Sequence, residues 1–318
     1  MITFSSRRKH RVDASGPLKA AGVIAAACAA LGVVASAHAE TVVGLTSTNA
    51  LVSFDSATPT FASAAVNITG LLGANERVLG IDLRPANGAI YGLGSTGNLY
   101  TLNAFTGAAT FVSVLVADPL DTTSPFFAGL SGTAFGIDFN PVVDRLRITS
   151  NAGQNLRTNV VTGGVMADLP LSGATSSIAA SAYTNNDNDA ATGTTLFGIS
   201  GATDTLNLQS PPNNGTQTSV GALGFDTSNV VGFDISGATG IAYASLTDND
   251  TAKSGLYTIN LATGAATLVG AFGVGGNSAI APPLLDITVA AIPEPQTYAM
   301  VLAGLLLVGS VARRRSKR

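Results

Sequence analysis

The central part of the chain is a repeat, and this repeat constrains the fold more than any other feature of the sequence. Similar segments begin at residues 79, 135 and 231, each with a glycine followed two residues later by an aspartate, and a looser copy begins at residue 179. Each copy contains four short runs rich in Val, Ile, Leu, Thr and Tyr, separated by Gly, Asn, Asp and Pro. Such runs are strand and turn signals, and four strands per repeat are typical of the blades of a β-propeller.

The two ends of the repeat region complement each other. Residues 43–61 contain three strand-like runs that lack the first strand of a unit, and residues 284–289, after the last full copy, resemble that missing strand. Pairing the two segments would complete a fifth unit and remove an exposed sheet edge. We therefore predict an all-β, five-bladed β-propeller over residues 40–291, closed by a clasp of N- and C-terminal strands. An open β-sandwich or a solenoid is the alternative arrangement.

The first 39 residues have the pattern of a signal peptide. Residues 1–19 are polar and basic, residues 20–37 are almost wholly apolar, and Ala37-His38-Ala39 gives the small-x-small pattern that signal peptidase cleaves. We expect cleavage between Ala39 and Glu40, with signal peptidase as a partner during export. A retained membrane anchor is the alternative.

The last residues, 292–318, combine a Pro-Glu-Pro motif, an apolar run over 298–312 and a basic end. The apolar run is shorter than the roughly 20 residues that span a bilayer comfortably, and the basic cluster would stay in the cytoplasm. We therefore expect transient anchoring through a short transmembrane helix, with the body outside. The residues that define this tail are Pro293, Glu294, Pro295, Arg313, Arg314 and Arg315.

This order of features resembles the PEP-CTERM sorting signal of Gram-negative bacteria. The resemblance implies processing by an exosortase near the Pro-Glu-Pro motif, and a host that makes extracellular polysaccharide. An ordinary C-terminal anchor is the alternative.

The composition of the body excludes several kinds of chemistry. Between Glu40 and Ile292 there is no His, Cys or Trp. This excludes Ser-His-Asp and Cys-His catalysis, zinc held by His or Cys, and disulfides. The same segment contains six basic and 17 acidic residues, a net charge of −11, which argues against binding to nucleic acid.

Several motifs resemble a bacterial family known as a domain of unknown function (forty-three ninety-four). They are Asp138-Phe-Asn-Pro-Val-Val-Asp-Arg-Leu-Arg, Gly153-Gln-Asn-Leu-Arg, Thr195-Leu-Phe-Gly-Ile, Asp204-Thr-Leu and Pro211-Pro-Asn-Asn-Gly-Thr. The match covers roughly residues 41–280, and members of the family often carry PEP-CTERM tails. The resemblance supports the repeat and implies no activity.

The third repeat differs from the others in its polar residues. Where the other copies have Tyr91, Phe197 and Tyr243, the third has Arg147. Arginine and amide side chains are planar donors suited to carboxylates or sugar hydroxyls, so we predict a pocket for an acidic or sugar ligand. Salt bridges to Asp144 or to a neighbouring blade are the alternative. The predicted pocket residues are Arg145, Arg147, Asn151, Gln154, Asn155 and Arg157.

Two loops, at residues 185–189 and 248–250, are rich in the oxygen ligands that Ca²⁺ prefers. Asp and Asn also favour turns for local reasons, so both interpretations stay open. Calcium is the one candidate cofactor, and the predicted ligands are Asp187, Asp189, Asp248 and Asp250.

Acidic residues also recur at one position of the repeat. This position contains Asp82, Asp138, Asp234 and Asp286, with Ser181 in the fourth copy. If their strand is innermost, these carboxylates approach the central axis and either bind a cation or accept hydrogen bonds from turn amides.

Three hypotheses for function follow. The first is an exported, exosortase-sorted protein of the cell surface or extracellular matrix of a Gram-negative bacterium, which binds polysaccharide or protein partners without catalysis. The second is an extracellular glycan-acting enzyme that uses Asp carboxylates. The third is a calcium-stabilised structural protein.

Overall fold

The structure is a computed structural model that describes residues 39–187 and 189–290. These residues form 22 β-strands in five sheets. The five innermost strands contact one another in a closed cycle, which confirms the predicted five-bladed propeller. The predicted signal peptide and C-terminal helix lie outside the described residues. None of the helices in the described part is long and apolar enough to cross a membrane.

The strands follow the chain blade by blade. The first blade contains β1 (Thr41–Thr46), β2 (Ala50–Asp55) and β3 (Val66–Asn67). The second contains β4 (Val78–Arg84), β5 (Ala89–Gly94), β6 (Asn98–Leu102) and β7 (Ala109–Val114). The third contains β8 (Val116–Ala117), β9 (Phe135–Asn140), β10 (Arg145–Ser150), β11 (Asn155–Thr158) and β12 (Gly164–Ala167).

The fourth blade contains β13 (Ser172–Gly173), β14 (Ala180–Tyr183), β15 (Leu196–Ser200), β16 (Thr205–Gln209) and β17 (Thr216–Ala222). The fifth contains β18 (Thr227–Ile235), β19 (Ala242–Asp248), β20 (Ser254–Ile259) and β21 (Ala266–Ala271). The last strand, β22 (Leu284–Ala290), belongs to the first blade. Short 3₁₀ helices lie at Pro59–Phe61 and Pro212–Asn214.

The predicted clasp is present. β22 pairs antiparallel with β1, with Ala290 opposite Thr41 and Thr288 opposite Val43. Both chain ends of the described region therefore contribute to one blade, and this blade has its innermost strand from the C-terminal side. Closing the ring in this way leaves no unpaired inner edge.

The outer edge of each blade is covered by the chain that leaves the preceding blade. β8 pairs in parallel with β12, and β13 pairs in parallel with β17. The same contact recurs at other seams as backbone hydrogen bonds from Ala109 to Thr69 and from Ala266 to Leu223, of 2.8 and 2.9 Å. Because an exposed edge strand is a template for pairing with another chain, these linkers protect the edges.

Four hydrophobic clusters each join two adjacent blades. One position of the repeat contributes to three of them. Tyr91 lies in the cluster between the second and third blades, Phe197 between the fourth and fifth, and Tyr243 between the fifth and first. At the seam between the third and fourth blades the same position contains Arg147, which is buried at 3% exposure.

Candidate functional site

A cleft of about 420 Å³ lies at this seam between the third and fourth blades. Three arginines line it because of the geometry of the third sheet. Arg145 and Arg147 are two residues apart on β10 and so project from the same face, and Arg157 on β11 lies directly opposite Arg147. Val143, Tyr183 and Asn213 are among the other lining residues.

Arg147 forms the floor of the cleft and binds both blades. Its guanidinium donates hydrogen bonds to Asn155 Oδ1 (2.9 Å), Asp168 Oδ2 (2.6 Å), Tyr183 Oη (3.2 Å) and Asn213 Oδ1 (2.8 Å). Tyr183 and Asn213 belong to the fourth blade. Arg147 therefore fixes the seam through hydrogen bonds to neutral groups of the fourth blade, whereas its salt bridge is to Asp168 of its own blade.

Arg145 and Arg157 are more accessible than Arg147. The side chain of Arg157 is 34% exposed and its Nε lies 3.1 Å from Asp168 Oδ1. Arg145 is exposed and donates a long hydrogen bond of 3.4 Å to the backbone oxygen of Asp144. Because one buried carboxylate, Asp168, is shared by two of the three arginines, the cleft has an excess of positive charge.

Asp144 does not pair with the arginines of its own blade. Its carboxylate accepts hydrogen bonds from Arg84 of the second blade, one of 2.7 Å from Nε and another from Nη2. The alternative of a salt bridge between Asp144 and the cleft arginines is therefore wrong. Arg84 also stacks against Tyr91 and Phe139, with distances of 5.7 and 5.9 Å to the ring centroids.

The amide residues predicted for the pocket separate into two groups. Asn155 is 2% exposed, lies behind Arg147, and also accepts a 3.0 Å bond from Gln209. Asn151 and Gln154 lie at the other end of β10 and β11, where they bind backbone amides of residues 131–134. Gln154 lines a separate cavity of about 350 Å³, as does Asn155, and neither Asn151 nor Gln154 is among the residues that line the arginine cleft.

Some cleft residues could not be recognised as such in the sequence. Tyr183 comes from β14, and Pro211, Pro212 and Asn213 come from the turn between β16 and β17. Asp168 follows β12 and neutralises part of the arginine charge. The Pro-Pro-Asn-Asn-Gly run was a visible signal, because it is one of the segments that carry the family resemblance.

A second cluster of ionisable groups lies on the propeller axis. Carboxylate oxygens of Asp82, Asp138 and Asp234 lie within 4.8 Å of one another, and each residue is 1% exposed. The Thr288 hydroxyl lies 3.1 Å from oxygens of both Asp82 and Asp234. Carboxylates crowded in this way without a counter-charge favour protonation.

The pKa values of these carboxyls follow from the crowding. Burial raises the pKa of Asp234 to about 6. Burial and the charge of Asp234 raise the pKa of Asp82 well above its ordinary value, and burial and the charge of Asp82 do the same for Asp138.

The axial side chains bind the next blade in a regular manner. Each of three axial carboxylates accepts a hydrogen bond from a backbone amide of the next blade. The donors are Phe139 for Asp82 (2.7 Å), Tyr183 for Asp138 (3.1 Å) and Val289 for Asp234 (2.6 Å). In each case the donor lies one residue after the equivalent axial position of the following blade. The Thr288 hydroxyl continues the pattern by accepting from Leu83 (3.0 Å).

The predicted repeat alignment is therefore wrong at two blades. The axial position contains Thr288 in the first blade and Ala182 in the fourth, where Ala182 lies opposite Phe197. Asp286 lies two residues earlier, where the second blade has Gly80, and accepts a 2.9 Å bond from the Ile81 amide.

The predicted calcium ligands lie in two separate loops and bind local groups. Asp187 accepts a 2.9 Å bond from the Asp189 amide, and Asp248 accepts a 2.7 Å bond from the Thr251 amide. The first loop follows the inner strand β14, whereas the second, with Asp250, follows the antiparallel second strand β19, so they lie on opposite faces. Calcium binding stays a prediction, which a fall in melting temperature on chelation would support.

The family model for DUF4394, a domain of unknown function, matches residues 50–281, which is most of the propeller. The chain belongs to the DUF4394 family. A PEP-CTERM protein-sorting motif matches residues 291–316, immediately after β22. The chain is therefore an exported, exosortase-processed and membrane-associated protein. No curated protein matches it significantly.

Several solved structures resemble the propeller at low sequence identity. A chain of the nidogen/laminin complex is 12% identical with a TM-score of 0.46, over 79% of this chain and 98% of that one. A protein of unknown function from Bacteroides thetaiotaomicron is 13% identical with a TM-score of 0.46, over 80% and 68%. A protein from Lactobacillus plantarum is 10% identical with a TM-score of 0.40, over 80% and 100%. These similarities imply nothing about function.

Proposed function

We propose that the mature body is a non-catalytic module of the cell surface or extracellular matrix that binds an acidic polysaccharide in the arginine cleft. The observation that carries the proposal is the position of Arg145, Arg147 and Arg157. Three of the six basic residues of an otherwise acidic body lie around one cleft.

The chemistry of the cleft suits a sugar carboxylate. Arg147 is held by both blades and Arg157 by Asp168, so little side-chain freedom would be lost on binding. The accessible guanidinium groups of Arg145 and Arg157 can donate paired hydrogen bonds to a carboxylate. Val143, Pro211 and Pro212 supply apolar walls, and the volume is in the range of small-ligand pockets, about 300–1,000 Å³.

The alternative of a glycan-acting enzyme receives less support. Asp82, Asp138 and Asp234 are 1% exposed and bind backbone amides, so a polysaccharide could not reach them without opening the ring. In the cleft, Asp168 is held by two arginines and is poorly suited to act as a general acid. Binding by the cleft arginines needs no general acid or base, so it fits these side chains better than catalysis does.

Calorimetric titration of the body, residues 40–292, with oligosaccharides of uronic acids tests the proposal. Arg145→Ala and Arg157→Ala should each weaken binding by about tenfold, since each removes a charge-assisted hydrogen bond. Arg77→Ala is the matched control, because Arg77 is exposed in the second blade, away from the cleft, and should leave affinity unchanged. Neutral oligosaccharides of equal length should bind weakly.

Two results would overturn the proposal. Equal affinity of all three variants and the unsubstituted body would remove the arginine cleft as the site. Release of reducing ends from an acidic polysaccharide would replace binding with catalysis.

A further inference from the structure

The arginine cleft and the end of the last strand lie on the same face of the propeller. Four residues lie at the same level along the propeller axis, because the backbone amide of each binds the axial side chain of the blade before it. These residues are Leu83, Phe139, Tyr183 and Val289. The next residue after Val289 is Ala290, where β22 ends.

The cleft opens at this same height. Asn140, the residue after Phe139, ends β9 and lies directly opposite Arg145, the first residue of β10. Tyr183, at the height of Val289, lines the cleft. The chain therefore leaves the propeller near its axis on the face that contains the cleft.

The sorting motif begins at residue 291, directly after β22. Seven residues, 291–297, separate Ala290 from the apolar run that starts at Tyr298, and seven residues extend over at most about 25 Å. A body of about 250 residues has a radius of gyration of about 18 Å. A path from the axis, over the rim and around to the opposite face exceeds about 40 Å, which is longer than this connection.

We infer that, in the membrane-anchored precursor, the cleft face is turned toward the membrane and polymeric ligands are kept out of the cleft. Exosortase processing of the tail then releases the body and opens the cleft. Ligand exclusion rests on the proposed function, whereas the orientation of the body rests on this geometry and on the expected anchoring of the tail in the membrane. The consequence is a polysaccharide-binding surface that becomes active only after sorting is complete.

The test measures the accessibility of single cysteines in the full-length chain. The body contains no cysteine, and Cys28 lies in the predicted signal peptide, so Val143→Cys supplies a single thiol at the cleft, where Val143 is 57% exposed. The matched control is Thr203→Cys. Thr203 is exposed in the turn between β15 and β16, and the neighbouring Gly201 packs against Ser228 near the start of β18, on the opposite face.

Spheroplasts of host cells without active exosortase would be treated with a maleimide carried on a long polyethylene glycol chain. In the anchored precursor the Val143→Cys thiol should react at least about tenfold more slowly than the Thr203→Cys thiol. After processing in cells with exosortase, the two rates should be equal. A small maleimide should label both thiols in both forms, which controls for the intrinsic reactivity of each thiol.

Equal rates with the bulky reagent in the anchored precursor would overturn the inferred orientation. Binding of uronic-acid oligosaccharides to the processed protein distinguishes the two proposals. If the orientation is found but the processed protein does not bind, the proposed function fails and the orientation stands. If a long acidic polysaccharide binds the precursor as tightly as the processed protein, the exclusion step is wrong.

Discussion

Asp234 accepts a 2.6 Å hydrogen bond from the backbone amide of Val289, which joins the inner strand of the fifth blade to the last strand of the propeller. The bond places a buried carboxylate at the point where the ring closes. The neighbouring Thr288 hydroxyl reaches both Asp82 and Asp234, so the closing strand is held from the blades on both sides. Ring closure therefore depends on polar groups at the axis as well as on the pairing of β22 with β1.

Replacing Thr288 by valine should weaken this closure. The change keeps the shape of the side chain but removes the hydroxyl that accepts a 3.0 Å bond from the Leu83 amide and reaches Asp82 and Asp234. The Leu83 amide keeps its 2.7 Å bond to Asp82 Oδ1, so the cost is that of lost buried hydrogen bonds, about 0.5–1.5 kcal/mol. We expect the free energy of unfolding in urea to fall by that amount. Thr267→Val, on the exposed face of β21, is the matched control and should have almost no effect. Equal stability of the two variants would show that Thr288 does not hold the ring.

From the raised pKa values of the axial carboxyls, we predict that the body is more stable in mild acid than at neutral pH. Their pKa values are raised in the folded state above the roughly 3.9 of an unfolded chain, so the folded body binds more protons. The stability that these protons supply is complete below the unfolded pKa and is lost as pH rises through the folded values.

Urea unfolding between pH 5 and pH 7 measures this effect. The body contains no histidine, and the lowered pKa of Asp144, beside Arg84, affects stability only at lower pH. The free energy of unfolding should fall by roughly 2 kcal/mol over this interval. Asp138→Asn should reduce the dependence on pH, because it removes one of the titrating carboxyls. The asparagine amide oxygen can still accept the hydrogen bond from the Tyr183 backbone amide. A flat profile for the unsubstituted body would contradict the account.

Arg147 and Arg157 should differ strongly in their effect on stability. Arg147→Ala removes a buried charge that binds four groups and leaves Asp168 at 7% side-chain exposure with a single partner. Breaking a buried pair in this way costs about 3–5 kcal/mol. Arg157→Ala removes a partly exposed pair and should cost less than about 1 kcal/mol. Thermal unfolding of both variants checks the difference, and similar losses would mean that Arg147 does not fix the seam.

The sequence predicted the propeller because its repeat combines two periodicities that few folds share. The short runs of strand-forming residues between turn residues defined the strands, and the recurrence of units of four such strands defined the blades. It also identified Arg147 correctly as a departure from an aromatic position, because Tyr91 and Tyr243 fill the hydrophobic seams of other blades and an arginine cannot.

The sequence could not fix the register of the axial residues in every blade. A shift of two residues keeps the same side chains on the same face of a strand, so Asp286 and Thr288 are equivalent choices by alternation alone. In the fourth blade, Ser181 and Ala182 are both small and give no hydrophobic contrast. The register became visible only through hydrogen bonds between blades, such as that from Tyr183 to Asp138.

The arginine cleft was predicted in part for a related reason. Asn151 and Gln154 are close to Arg147 in sequence, but a strand rises about 3.3 Å per residue, so they lie at the far end of the blade. Tyr183 and Asn213 are distant in sequence and arrive through the packing of the fourth blade. Residues on one strand can be assigned to a face from the sequence, whereas contacts across a seam need the fold.

Disulfide formation between β1 and β22 tests ring closure most directly. Thr41 and Ala290 are paired across the two strands, and antiparallel partners have Cα atoms about 4.5–5.5 Å apart, within the range of disulfides. In the cysteine-free body, Thr41→Cys with Ala290→Cys should form a disulfide on mild oxidation, whereas Thr41→Cys with Thr203→Cys should not. Free thiols in the first variant, in a protein that melts like the unsubstituted body, would contradict a propeller closed by its last strand.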